Sequence, residues 1–159
     1  MGKRKGGRRR SDERMSALSS ILADGLHYSW FRYTDLDESA CTATIYTDDL
    51  EGDEGNFAVK HEVGPDDIAR GLRMYREYME GKREHFKGEW EYRIKDLLRD
   101  GTIEDRSEFK PEIHCRASER SYGWQTVKFD RTNGAEGDYD ANTADSVMQF
   151  ALLGEVVYG

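Results

Sequence analysis

Asp138, Asp140 and Asn142 stand at alternate positions in the segment GDYDANTADSVMQF, the spacing with which a loop folds oxygen ligands around a hard cation such as calcium. A calcium loop counted from Asp138 needs glycine at its sixth position and a bidentate glutamate at its twelfth. Thr143 and Gln149 stand there instead, so the sharp turn and the closing ligand are both missing. The same residues fit a helix start. Asp140 or Asn142 offers a cap, Asp145 lies near the positive end of the helix dipole, and Ala144, Val147, Met148, Ala151 and Leu152 recur at helical spacing. The spacing predicts a helix near 141–153, stopped at Gly154, with Val147, Met148, Ala151 and Leu152 packed on a sheet and no bound metal.

Two cysteines and two histidines could in principle hold zinc. Cys41 and His61 fall on neighbouring strands, and His114 and Cys115 are adjacent, but neither pair has the spacing of a zinc module. Free thiols and partly buried imidazoles are expected. The sequence contains no G-x-S-x-G, no H-E-x-x-H and no P-loop. An enzyme reading therefore rests on carboxylates alone: Asp130, Asp138, Asp140 and Asp145 with His114, or Asp35 and Asp37, arranged for metal-dependent chemistry on nucleotides or nucleic acid. No residue is assigned a catalytic or metal-binding role, and no cofactor is expected.

The third group is basic. Lys3, Arg4, Lys5, Arg8, Arg9 and Arg10 crowd the first ten residues, which carry no acid, while residues 11–159 hold 18 basic and 32 acidic side chains, a net of −14 before histidine. Such a segment neutralises nucleic-acid phosphates without reading bases, so its binding would be non-specific and salt-sensitive. The acidic body repels the same ligand and favours basic partners.

Several elements must position these groups. Ser11 as a cap, Met15, Leu18 and Leu22 at helical spacing, and Gly25 predict a first helix. The aromatic run HYSWFRY (27–33) predicts a strand. CTATIYT and FAVKHEV flank the acidic turn DDLEGDEG and predict a hairpin with Cys41, Ala43 and Ile45 on one face and Phe57, Val59, His61 and Val63 on one face. GPDDIARGLRMYREYMEG is the strongest helix, with Pro65 in the first turn and Ile68, Leu72, Tyr75 and Met79 as its stripe. A further helix is expected over 84–100, with Phe86, Trp90, Ile94 and Leu97 inward. Residues 101–121 read as loop, YGWQTVKF (122–129) as a strand, and EVVY (155–158) as a final strand along the sheet. The fold class is α+β: a small mixed or antiparallel sheet of four to five short strands, packed by about four helices. Residues 1–10 are expected to be a disordered basic tail and 11–159 a single domain.

Hydrophobic residues make up 36% of the chain and charged ones 35%, a lean core that three Trp, nine Tyr and six Phe must supplement. No apolar run approaches the length of a membrane span, and no secretory signal is legible, so a cytoplasmic protein without membrane contact is expected. The stretch YGWQTVKFDRTNGAEGDYDANTADSVMQFALLGEVVYG, with DIARGLRMYREYM upstream, resembles small uncharacterised proteins of tailed actinobacteriophages. The resemblance covers most of residues 25–159, excludes the basic tail, and implies a host bacterial cytoplasm as the setting but no activity. The sequence points first to a non-enzymatic accessory protein that binds a host or phage protein. The alternatives are the metal-dependent enzyme and a protein associated with nucleic acid through residues 1–10.

Overall fold

The computed structural model describes residues 10–158. Helix α1 (Asp12–Asp24) starts where the Ser11 hydroxyl accepts the Arg14 N–H at 3.0 Å, with Asp12 and Glu13 in the first turn. Leu18, Ile21 and Leu22 turn inward and are buried. A 3-10 turn, Gly25–His27, leads to a three-stranded antiparallel sheet in the order β1 (Phe31–Asp37), β2 (Thr42–Thr47), β3 (Val59–Val63). On the central strand Ile45 lies opposite Tyr33 on one side and His61 on the other, and Ala43 lies opposite Val63. Ala43, Ile45 and Val63 share a buried face as the alternation predicts, but Phe57 lies outside β3 with φ 47° and Val59 is exposed.

Helix α2 (Pro65–Met79) follows directly. Asp67 accepts the Gly64 N–H at 2.9 Å, and Ile68, Leu72, Tyr75 and Met79 are buried as their spacing predicts. After α2 the chain leaves the main core. Helix α3 (Glu89–Arg99), a 3-10 turn (Arg106–Glu108) and the short α4 (Pro111–His114) enclose a small second cluster of Ile94, Leu97 and Ile103 with Phe109 against it. Helices α5 (Gly123–Arg131) and α6 (Ala141–Leu153) then return to the main core.

The fold is α+β, with six α-helices and one three-stranded antiparallel sheet among the described residues. The four to five strands expected are not reached, for two reasons. YGWQTVKF is helical from Gly123: the buried positions of α5, Gly123, Thr126, Val127 and Asp130, follow helical spacing, and contact with α2 overrides the strand preference of this stretch. EVVY does not join the sheet. The Val157 and Tyr158 amides instead donate to Gln149 Oε1 at 2.8 Å each, and Val156 N–H donates to the His85 carbonyl at 2.8 Å.

Smaller shifts have local causes. The first strand begins at Phe31 because His27 closes the 3-10 turn. Helix α3 begins only at Glu89, since Gly88 adopts φ 91°, which leaves Phe86 outside the helix and exposed. Helix α6 spans the predicted residues and ends at left-handed Gly154, but its nearest backbone neighbours are α2, α1 and the Gly25–His27 turn instead of the sheet. Leu152 is accordingly only partly buried, whereas Val147, Met148 and Ala151 are buried. Among the described residues no helix is long and apolar enough to cross a membrane.

Candidate functional site

The carboxylates singled out by sequence each accept a hydrogen bond from the protein, Asp35 from the adjacent Thr34 hydroxyl. Asp140 caps α6: its Oδ1 accepts the Thr143 N–H at 2.8 Å, and the Asp140 N–H donates to Thr143 Oγ1 at 3.0 Å. Asn142 accepts the Tyr28 hydroxyl, and Asp138 accepts the adjacent Tyr139 N–H. Asp145 accepts Trp30 Nε1 at 2.6 Å and Gln149 Nε2 at 2.8 Å. Asp130 pairs with Arg14, and His114 Nδ1 accepts the Lys110 N–H while its ring stacks on Phe109. Asp37 accepts from Ser39 and Ala40, and these hydrogen bonds, the Ser39 hydroxyl first, hold its carboxyl below the usual range.

The thiols are likewise separate. Burial pushes Cys41 up to about 11 and raises Cys115, so neither is a poised thiolate. His61 hydrogen-bonds Thr47 Oγ1 at 2.8 Å. Among the described residues no group of three or more His, Cys, Asp or Glu is placed to hold a metal ion. The capping geometry gives a sharp expectation for the segment that looks like a calcium loop. Asp140→Ala should cost about 1 kcal/mol through removal of the cap, while Asp138→Ala should stay within about 0.5 kcal/mol. Calorimetry with and without calcium should give the same melting temperature for wild type; a calcium-dependent rise that Asp138→Ala removes would reverse the assignment.

The residues that do converge are arginines. Arg10, Arg14, Arg70, Arg73 and Arg76 line one groove of about 440 Å³ with Asp66, Ala69 and Asp130. Three of them follow from α2 itself, where residues three apart share one side and advance by about 4.5 Å along the axis. Arg14 comes from the first turn of α1, and Arg10 from just before it. Five guanidiniums against Asp66, Asp130 and the Asp67 carboxylate that Arg70 reaches leave two positive charges at the groove, on a chain whose net charge is −8.

The guanidiniums are held to different degrees. Arg14 Nη1 donates to both the carboxylate and the carbonyl of Asp130, at 2.7 and 2.9 Å, and the Asp130 side chain is 8% exposed. Arg70 Nη2 donates to the Ala151 carbonyl at 2.6 Å and to Asp67 at 3.1 Å. Arg10 Nη2 meets Asp66 Oδ1 at 2.5 Å, and that aspartate is 72% exposed. Arg73 and Arg76 make no side-chain hydrogen bond or ion pair among the described residues. Of the basic residues expected to bind nucleic acid, Arg10 is therefore seated on the folded body, while Lys3, Arg4, Lys5, Arg8 and Arg9 lie outside the described residues.

A second, smaller pocket of about 220 Å³ is lined by Tyr78, Arg83, Glu89, Arg93, His114, Cys115 and Arg116. Its arginines are engaged: Arg83 with Glu77, Arg93 with the His114 carbonyl, Arg116 with the Trp124 ring. The arginine groove is thus the better candidate for a ligand. Sequence reasoning missed it, although the three-residue repeat of Arg70, Arg73 and Arg76 was a readable signal. No family model, curated protein or solved structure matches this chain.

Proposed function

We propose that this protein is a small non-enzymatic accessory that acts by binding, and that its ligand is the phosphodiester backbone of nucleic acid. The observation that supports this is the arginine groove, above all Arg73 and Arg76, whose guanidiniums have no partner among the described residues. Arginine offers phosphate a planar fork of donors, and a row of such forks tracks a row of phosphates without reading sequence. The chain leading into the groove extends the same chemistry, because Lys3, Arg4, Lys5, Arg8 and Arg9 precede Arg10. The acidic remainder of the body would confine contact to this one side. On the phage resemblance, the setting is the cytoplasm of an infected bacterium.

The test is a fluorescence titration of a labelled duplex oligonucleotide at several salt concentrations. Affinity should fall steeply with salt. The double variant Arg73→Gln/Arg76→Gln should bind roughly tenfold more weakly, and its log–log salt slope should be shallower by about 2, one for each phosphate no longer neutralised. A chain lacking residues 1–9 should bind more weakly yet keep this dependence on Arg73 and Arg76. Equal affinity and slope for wild type and the double variant would sink the reading.

One observation favours a second reading, a protein partner. Phe86 and Tyr92 pack ring against ring at 6.4 Å yet are 37% and 66% exposed, and aromatic side chains anchor interfaces. A defined partner that Tyr92→Ala no longer binds, with duplex binding absent from wild type, would support that reading over the first.

A further inference from the structure

We infer that the two carboxylates of the arginine groove act on its ligand in opposite directions: Asp130 positions Arg14 for a phosphate, whereas Asp66 occupies the place on Arg10 that a phosphate takes. This rests on the nucleic-acid reading above.

Charge alone does not separate the two aspartates. Each contributes one negative charge to a groove lined by five arginines, so each should repel a polyanion alike. Their surroundings differ. Asp130 lies on α5 with its side chain 8% exposed, and two of its oxygens, the carboxylate and the carbonyl, receive the same Arg14 nitrogen at 2.7 and 2.9 Å. A guanidinium gripped at one nitrogen from two directions has given up most of its rotational freedom before any ligand arrives. Its remaining N–H groups then meet a phosphate at little further entropic cost. Asp130 is therefore a positioning residue that works through Arg14.

Asp66 is the reverse case. Its side chain is 72% exposed in the first turn of α2, and it meets Arg10 Nη2 at 2.5 Å. An ion pair this open is worth little and exchanges readily. Carboxylate and phosphate oxygens present the same acceptor geometry to a guanidinium. A backbone phosphate arriving at Arg10 replaces the carboxylate, and binding is weaker by whatever that ion pair was worth.

The experiment uses the full chain and the same labelled duplex, with Asp66→Asn and Asp130→Asn. Asp66→Asn should tighten binding by about two- to fivefold, the scale on which exposed ion pairs act. Asp130→Asn should weaken it several-fold even though it too removes a negative charge, because the neutral amide holds Arg14 about half as strongly as the carboxylate and the loosened guanidinium outweighs the charge gained. Since Asp130→Asn also touches the fold, the same change is made in an Arg14→Gln background, where it should shift affinity by less than about twofold. The inference is overturned if Asp130→Asn tightens binding as Asp66→Asn does, or if its weakening persists undiminished in Arg14→Gln. Binding insensitive to Arg73→Gln/Arg76→Gln would instead remove the nucleic-acid reading and this inference with it. Binding that needs those two arginines while both aspartate variants tighten it would leave the reading standing and the inference fallen.

Discussion

Gly71→Val should lower the stability of this protein by about 3 kcal/mol or more, enough to approach the whole margin of a small domain. Gly71 sits in the middle of α2 where that helix crosses α6. A Cβ at this position would lie 2.4 Å from the Val147 carbonyl oxygen, 3.0 Å from Ala151 Cβ and 3.1 Å from Val147 Cγ1. The first of these is backbone inside a helix and cannot swing aside. Relief would require α6 to move as a body, and α6 carries the buried Val147, Met148 and Phe150. Glycine in a helix interior costs about 1 kcal/mol relative to alanine, so the chain accepts a weaker α2 in return for the close approach. Urea denaturation measures the effect. Gly64→Ala is the comparison: its φ is −136° and a built Cβ meets nothing within 4 Å, so it loses only the preference for glycine over alanine at the N-cap of α2, about 1 kcal/mol or less. A Gly71→Val protein with an unchanged midpoint would mean that α2 and α6 do not approach this closely.

The same crossing bears on the groove, because α2 carries Arg70, Arg73 and Arg76 along one flank of its buried stripe, and Arg70 reaches across to the Ala151 carbonyl of α6. Packing thus fixes where the charges stand. The sequence made α2 legible because Pro65, Asp66 and Asp67 mark its start and four apolar residues mark its inner face. Helix α6 was legible for similar reasons, including the Gly154 stop, while the cap was narrowed only to Asp140 or Asn142 and is taken by Asp140.

What was not legible depended on partners far away in the chain. Helix α5 buries Thr126 and Asp130 beside Val127, so two of its inward positions are polar and the hydrophobic period is broken. Asp130 is inward because Arg14, 116 positions away, comes to meet it. The groove has the same origin: three of its arginines share one helix, but Arg10 and Arg14 join them only when α1 lies alongside. Asp145 looked like a candidate acid for chemistry. It became a receptor for Trp30 and Gln149, a role that no local pattern announces.

Gln149→Leu should cost about 3 kcal/mol and release the end of the described chain. The Gln149 side chain is fully buried and uses its whole hydrogen-bonding capacity: Nε2 donates to Asp145 Oδ2 at 2.8 Å and to the Tyr158 carbonyl at 2.9 Å, while Oε1 accepts the Val157 and Tyr158 N–H groups at 2.8 Å each. These bonds replace the sheet pairing that the valines of EVVY would otherwise favour. Leucine preserves the volume but leaves two amides, a carbonyl and a carboxylate oxygen without their partner, at about 1–3 kcal/mol for each group that stays buried. Opening the segment to water relieves that cost and gives up the stacking of Tyr158 on Trp30, whose rings lie 5.4 Å apart at 17°. Hydrogen exchange reads the outcome directly. The Val157 and Tyr158 amides should be protected in wild type and exchange freely in Gln149→Leu. Gln149→Glu adds a pH test. The introduced carboxyl faces Asp145, and the like charge raises its folded pKa above the ordinary value of about 4.3. Protonated, it can donate to Asp145 as the amide does; its support is present below about pH 4 and is lost as pH rises through the raised folded value. The stability deficit of Gln149→Glu should therefore widen from acid to neutral pH. A deficit independent of pH, or amides that stay protected in Gln149→Leu, would show that Gln149 does not hold this segment.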